Sequence, residues 1–221
     1  MNPMPHAAPA DSARLVPAET SPAAMPRAAW RLGLPTLKGA SVELRELRPS
    51  DAPMLLGAMA SDAVSRFISP PPSTLEGFEK FITWAQRERA TGPYLCFAIV
   101  PRGTDTAVGL LQLRSLEREF ATAEWGFALA AEYWGAGLFT EAATLFIEFA
   151  LTVVGTHRLE ARAAVKNGRG NAALQKVGAV QEGVLRRSFF RHGEYLDQAL
   201  WTIISEEWLQ AKAVWGARIV H

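Results

Sequence analysis

Cysteine is nearly missing: Cys96 is the only one in 221 residues. An internal disulfide is therefore excluded, and the usage fits a reducing, cytoplasmic compartment. Cys96 lies in an apolar strand pattern, which makes it a small core residue rather than a nucleophile. Histidine is sparse too. His6, His157, His192 and His221 are scattered without metal-ligand spacing, so no metal is expected. A charge of one sign is also lacking. The 23 Lys and Arg against 22 Asp and Glu leave a net +1, which gives no ground for nucleic acid or an anionic membrane as main partner. No uninterrupted apolar run reaches membrane-spanning length. The N-terminus lacks the basic region and apolar core of a secretory signal.

What is present is a core-forming chain, 49% hydrophobic. Residues 1–28 are rich in Ala and Pro and cannot bury enough surface to order themselves, so they read as a flexible arm. Residues 29–221 read as one domain, with Trp30, Leu32 and Leu34 near its start. Val42, Leu44 and Leu47 suggest a first strand. Pro49-Ser50-Asp51 opens a helix with Met54, Leu55, Ala58 and Met59 as its buried face. After Pro70-Pro71-Pro72, Ser73 or Thr74 can cap a helix carrying Phe78, Phe81, Ile82 and Trp84. Strands follow over Tyr94–Val100, Ala107–Leu113 and Thr122–Leu129, then a helix, and a strand with Leu159, Ala161, Ala163 and Val165 on one face. Ala172–Val177 is a short helix. Val180–Phe190 and Tyr195–Ile204 form a hairpin around His192-Gly193, and Ser205–Trp215 a last helix. Antiparallel hairpins flank one parallel crossover, which implies an α/β (α+β) mixed sheet with helices on both faces.

The stretch from Glu124 to Val153 organises the rest. Glu124-Trp-Gly-Phe-Ala-Leu129 alternates as a strand. Leu138, Ala142, Leu145, Phe146, Phe149 and Val153 recur at helical spacing. Between them lies a turn with Gly135 and Gly137. The first N–H groups of a helix lack partners within it and sit at the positive end of its dipole. A turn without Cβ atoms lets an anion approach them, a phosphate or pyrophosphate above all. The spacing alone also fits a tight turn before a buried helix, with no ligand.

The wording of the turn is more specific. Tyr133-Trp134-Gly135-Ala136-Gly137 followed by Thr140-Glu141-Ala142 resembles the acetyl-CoA loop of the GNAT N-acetyltransferase superfamily, and best its RimJ/RimL-like branch. Asn167, with Lys176-Val177-Gly178 beyond it, resembles the family segment that holds the pantetheine arm. The resemblance implies a GNAT-like, mostly antiparallel sheet of about seven strands. It implies acetyl-CoA as co-substrate, held at Trp134, Gly135, Ala136, Gly137, Leu138, Phe139 and Thr140, and at Asn167, Asn171 and Lys176. The backbone of Phe127, Ala128 and Leu129 would splay from its neighbour strand and receive the thioester carbonyl. Two positions depart from the family pattern: Gly170 stands in place of Ser and Ala179 in place of Phe. Leu174 stands where other branches carry Tyr, so no general acid is evident.

Glu124 is the candidate general base, on the strand that runs into the cofactor loop; an ion-paired strand Glu is the alternative reading. Glu160 and Tyr195 are secondary candidates. The expected reaction is acetyl transfer to a primary amine, of a small molecule or a protein N-terminus, by direct attack. A homodimer is kept open beside a monomer. Two other classes compete. One is a non-catalytic acyl-CoA sensor. The other is a dinucleotide-dependent oxidoreductase, which Gly135-x-Gly137 with Glu160 faintly mimics and which lacks a third glycine and a second mononucleotide half.

Overall fold

The computed structural model describes residues 29–218, so the Ala/Pro-rich arm expected over 1–28 lies outside it. Its centre is strand β3 (Tyr94–Pro101), a near-continuous apolar run that is buried on both faces. Leu95, Phe97 and Ile99 face one core cluster. Tyr94, Cys96, Ala98 and Val100 face another. Around β3 lie β1 (Leu37–Lys38), β2 (Val42–Glu46), β4 (Gly109–Ser115), β5 (Thr122–Leu129), β6 (Arg158–Ala164), β7 (Val180–Arg191) and β8 (Glu194–Ile204). They form one eight-stranded sheet in the order β1-β2-β3-β4-β5-β6-β8-β7. Every neighbouring pair is antiparallel except β5 and β6. The extra strand beyond the expected seven is β1, whose two residues are too few to show alternation.

Helices α1 (Ala52–Ala60), α2 (Asp62–Ser65) and α3 (Leu75–Thr91) cover one face. Thr74, not Ser73, caps α3 by accepting the Gly77 amide at 3.0 Å. Helix α4 (Leu138–Phe149) covers the other face and buries Leu138, Ala142, Phe146 and Phe149 at the spacing the sequence shows. Phe97 meets the edges of the Phe146 and Phe149 rings at 6.1 and 5.2 Å. Helices α5 (Gly168–Lys176) and α6 (Ser205–Arg218) complete the chain. The hairpin of β7 and β8 turns at His192 and Gly193, as expected, with Arg191 paired to Glu194.

Four apolar residues of these segments are exposed. Met54 is 42% exposed, because α1 buries Ala52, Leu55 and Met59 instead. Leu32 is 90% exposed beside the buried Trp30. Trp84 is 39% exposed, since α3 turns Phe78, Ile82 and Ala85 inward. Val165 falls past the end of β6 and is exposed.

Candidate active site

The site begins where two strands part. β5 pairs with β4 along its length, from Ala123 opposite Ser115 to Leu129 opposite Gly109. With β6 it pairs only from Thr122 to Glu124, opposite Arg158 to Glu160. Beyond Glu124 the parallel strands separate. Backbone direction alternates along a strand. The Arg158 amide donates to Ala121 O at 3.1 Å on the β6 side, whereas the Ala130 amide donates to Val108 O at 2.8 Å on the β4 side. The amides of Phe127 and Leu129 therefore face the opening. Those of Ala128 and Ala130 face β4, so Ala128 offers no donor there, contrary to the expectation. The Leu129 carbonyl, which also faces the opening, accepts the Trp134 indole N–H at 2.9 Å.

The glycine turn stands at the wide end of this opening. Gly135 and Gly137 have φ of +84° and +81°, a region that residues with a Cβ avoid. Gly135, Ala136 and Gly137 are all exposed, so no side chain seals the turn. Among the described residues, the N–H groups from Gly135 to Thr140 donate to no protein acceptor. They form a continuous run at the start of α4, at the positive end of its dipole. Leu138 is buried and the Phe139 ring packs at 4.3 Å on Phe127, so these two offer the opening only their backbone. Glu141 turns away and accepts from the Ala40 and Ser41 amides and the Ser41 hydroxyl. Burial pushes its carboxyl up, but those hydrogen bonds and Arg102 outweigh this and hold it below its ordinary range.

Helix α5 differs from expectation in what its polar residues do. It starts at Gly168 rather than Ala172, because Asn167 caps it, accepting the Gly170 amide at 2.9 Å. A Cβ on Gly170 would press on that Asn167 side chain as it is placed here. Asn171 spends its amide internally. It donates to Ala164 O and Asn167 O at 2.9 and 2.8 Å and accepts from the Trp201 indole at 2.8 Å. It braces α5 against β6 and β8. Lys176 is exposed in the last turn of α5, roughly 13 Å from its capped end by helical rise. Arg169 is brought to the glycine turn: its guanidinium lies 4.4 Å over the Trp134 ring. Leu174 is buried in the core.

On the face opposite α4, Glu124 lies between two arginines. It pairs with Arg114 on β4, and Arg162 on β6 lies 3.9 Å away. The row continues through Glu160, held by Arg158 Nε at 2.9 Å, to Glu182, held by Arg158 at 2.6 Å and by the Thr202 hydroxyl at 2.8 Å. The ion-paired reading of Glu124 thus describes its geometry. Tyr195, the other secondary candidate, is 64% exposed at the hairpin tip and stacks on Phe190. Burial pushes the Cys96 thiol up to about 12, which leaves it protonated and no nucleophile. The Tyr94 hydroxyl beside it, also held protonated by burial, donates to Gln112 Oε1 at 2.6 Å. Among the described residues, no three His, Cys, Asp or Glu side chains gather as a metal site.

The acid limb of stability follows from this row. The hydrogen bond from Arg158, then that from Thr202, holds Glu182 at about 2, against an ordinary value of 4.5. A depressed carboxyl stabilises the fold above its unfolded value and loses that contribution as pH falls through the folded one. Urea midpoints should therefore drop between about pH 4.5 and pH 2. Glu182→Gln should flatten that drop; a variant with the wild-type acid limb would show that the pair contributes nothing.

Comparison with known proteins gives the family. Residues 41–180 match the Acetyltransferase (GNAT) domain. The chain belongs to the GNAT acetyltransferase family. The acetyltransferase is 24% identical over 173 residues to YoaA of Bacillus subtilis, an uncharacterized N-acetyltransferase, covering 77% of this chain and 97% of that one. It is 29% identical over 101 residues to the spermidine N(1)-acetyltransferase of Escherichia coli K12, covering 46% of this chain and 54% of that one. Its fold matches Mycobacterium smegmatis RimJ in complex with CoA-disulfide at a TM-score of 0.69 and 25% identity, over 75% of this chain and 83% of that one. The protein is an N-acetyltransferase. The dinucleotide alternative falls: one parallel strand pair does not make the parallel sheet that such folds require. No helix among the described residues is long and apolar enough to cross a membrane.

Proposed function

We propose that this acetyltransferase takes acetyl-CoA as co-substrate and transfers its acetyl group to a primary amine that arrives on the face of Glu124. The observation that carries this reading is the run of unpartnered amides from Gly135 to Thr140. Six N–H groups at a helix start fit a diphosphate, and Arg169 on Trp134 adds a cation beside them. Asn167 would stand beside the pantetheine arm; its Oδ1 is used by the cap. Bound acetyl-CoA supplies the activated acyl group. The amides of Phe127 and Leu129 would donate to the carbonyl oxygen as negative charge develops on it. Holding amine and thioester together supplies proximity.

The absence of an acid at Gly170 and Leu174 is tolerable. A thiol of ordinary pKa near 8.5 departs as thiolate at a cost of about 2 kcal/mol at pH 7. The base has a similar margin. An α-amine is neutralised at pH 7 for about 1 kcal/mol, a lysine for roughly 4–5 kcal/mol. Glu124 is the proposed proton acceptor, directly or through one water. Glu124→Gln should lower kcat/KM at pH 7 by at least about tenfold, and the deficit should shrink as pH rises toward the amine's own pKa. A pH-independent change under threefold would remove Glu124 from this role. Calorimetric titration with acetyl-CoA, followed by a screen of amines for release of free thiol, tests the whole reading. No binding at millimolar acetyl-CoA would overturn it.

A further inference from the structure

Six charged side chains run across the face opposite α4, and five of them have hydrogen-bonded partners. Arg114 meets Glu124, Arg158 meets both Glu160 and Glu182. Arg162 is different. Its guanidinium lies 3.9 Å from Glu124 and 3.8 Å from Glu160, and among the described residues it makes no hydrogen bond. It is ion-paired to both carboxylates, yet its N–H groups are not engaged in hydrogen bonds, at 36% exposure. Its place on β6 matters. Glu124 and Glu160 are the last paired residues of β5 and β6. Two residues further along each strand stand Gly126 and Arg162, where the opening starts.

Gly126 has Gln112 of β4 on its other side. A Cβ on Gly126 would come within 3.1 Å of the Gln112 side-chain nitrogen, so the missing side chain leaves a notch there. Gln112 Oε1 is occupied by Tyr94, which turns the amide so that Nε2 carries the free donors. No acceptor for Nε2 occurs among the described residues. A glycine floor is therefore flanked by an unspent amide on one strand and a guanidinium without hydrogen bonds on the next. Phe127, whose amide faces the opening, is one residue further on, about 3.3 Å along the strand.

We propose that this notch recognises a carboxylate carried by the acceptor, with Arg162 as the specificity-determining residue and Gln112 as its helper. The proposal rests on the acetyl-transfer reading above and names its acceptor class: an α-amino acid. Arginine binds a carboxylate through two parallel hydrogen bonds, which fixes orientation as well as position. With the carboxylate at Gly126, an amine on the adjacent carbon stands within one residue's length of the Phe127 amide and two of Glu124, the proposed proton acceptor. A polyamine offers no such group. A site built to hydrogen-bond one group rejects the analogue that lacks it.

The test uses the full chain, acetyl-CoA and a thiol-release assay with the common α-amino acids, their carboxamides, and spermidine. The best amino acid should exceed its carboxamide in kcat/KM by at least about thirtyfold, mostly through KM. Arg162→Gln should close that gap by lowering the acid far more than the carboxamide, whose own fall reports the lost neighbour of Glu124. Arg162→Lys should restore part of it. An equal fall for both acceptors, or a gap that survives Arg162→Gln, overturns the proposal, as does spermidine as preferred acceptor with Arg162→Gln silent. Acetyl-CoA titration on the same samples separates the two readings. If acetyl-CoA binds and the carboxylate preference is missing, the notch alone is wrong; if acetyl-CoA does not bind, both are.

Discussion

Gly137→Val weakens acetyl-CoA binding by at least about a hundredfold while the protein stays folded. That is the expected result, and its size follows from where Gly137 stands. Its φ is +81°, and Gly135 beside it has +84°. A Cβ at either position meets nothing within 4 Å. Clash inside the protein is therefore not the cause. A β-branched residue held at positive φ carries backbone strain of about 1–3 kcal/mol, and relaxing it means rebuilding the turn. The amides from Gly135 to Thr140 then cease to converge. The anchors on either side of the turn do not depend on Gly137. Leu138 and Phe146 stay in the core, and Glu141 holds the Ala40–Ser41 turn. Calorimetry should show Kd raised by at least about a hundredfold, near 2.7 kcal/mol, with the circular dichroism spectrum of the native fold. Gly135→Ala, without the β-branch, should cost less. A Kd within threefold of wild type for Gly137→Val would show that the diphosphate does not lie on this turn.

The turn was legible in the sequence because its physics is local. Positive φ at two nearly adjacent residues selects glycine, and a 3.6-residue apolar period just after them selects a helix with a bare N-terminus. β3 was legible because burial on both faces leaves an unbroken apolar run, and the His192-Gly193 turn because its residues tolerate positive φ. What stayed hidden depends on register. Arg114 lies ten residues before Glu124 and Arg162 lies on the far side of a helix. Only the pairing of β4, β5 and β6 sets both against the Glu124 carboxylate. Asn171 reads as a ligand until Trp201, thirty residues later, takes its carbonyl oxygen. Asn167, an Asn at a helix start, carries a capping signal that local chemistry alone makes readable. Which strand amides face the opening was a matter of parity. A single hydrogen bond, Ala130 N–H to Val108 O, decides it for Phe127 and Leu129 against Ala128.

Arg45→Met should destabilise the fold by about 3–5 kcal/mol, the largest stability effect expected in the chain. Arg45 and Asp51 are both 3% exposed. They meet through two parallel hydrogen bonds of 2.8 Å, and Arg45 also donates to Glu46 O and Asp105 O at 3.1 and 3.0 Å. Asp51 accepts the Arg48 amide at 2.7 Å as well. The Asp51 carboxylate raises the Arg45 pKa further, against the burial that lowers it. This cluster joins β2, the start of α1 and the turn between β3 and β4. It thereby seats the α1–α3 layer on the sheet beside the face where the acceptor is proposed to arrive. Removing the guanidinium leaves a carboxylate buried with one amide for company. The pair itself need not be stabilising, since two buried charges lose hydration that their attraction only partly restores. Arg45→Met with Asp51→Leu should therefore recover most of the loss. Urea unfolding of the wild type, both single variants and the double variant closes the cycle. Coupling of several kcal/mol between the singles is expected; single variants within about 1 kcal/mol of wild type would mean that water reaches Asp51 and that α1 is held by its apolar face alone.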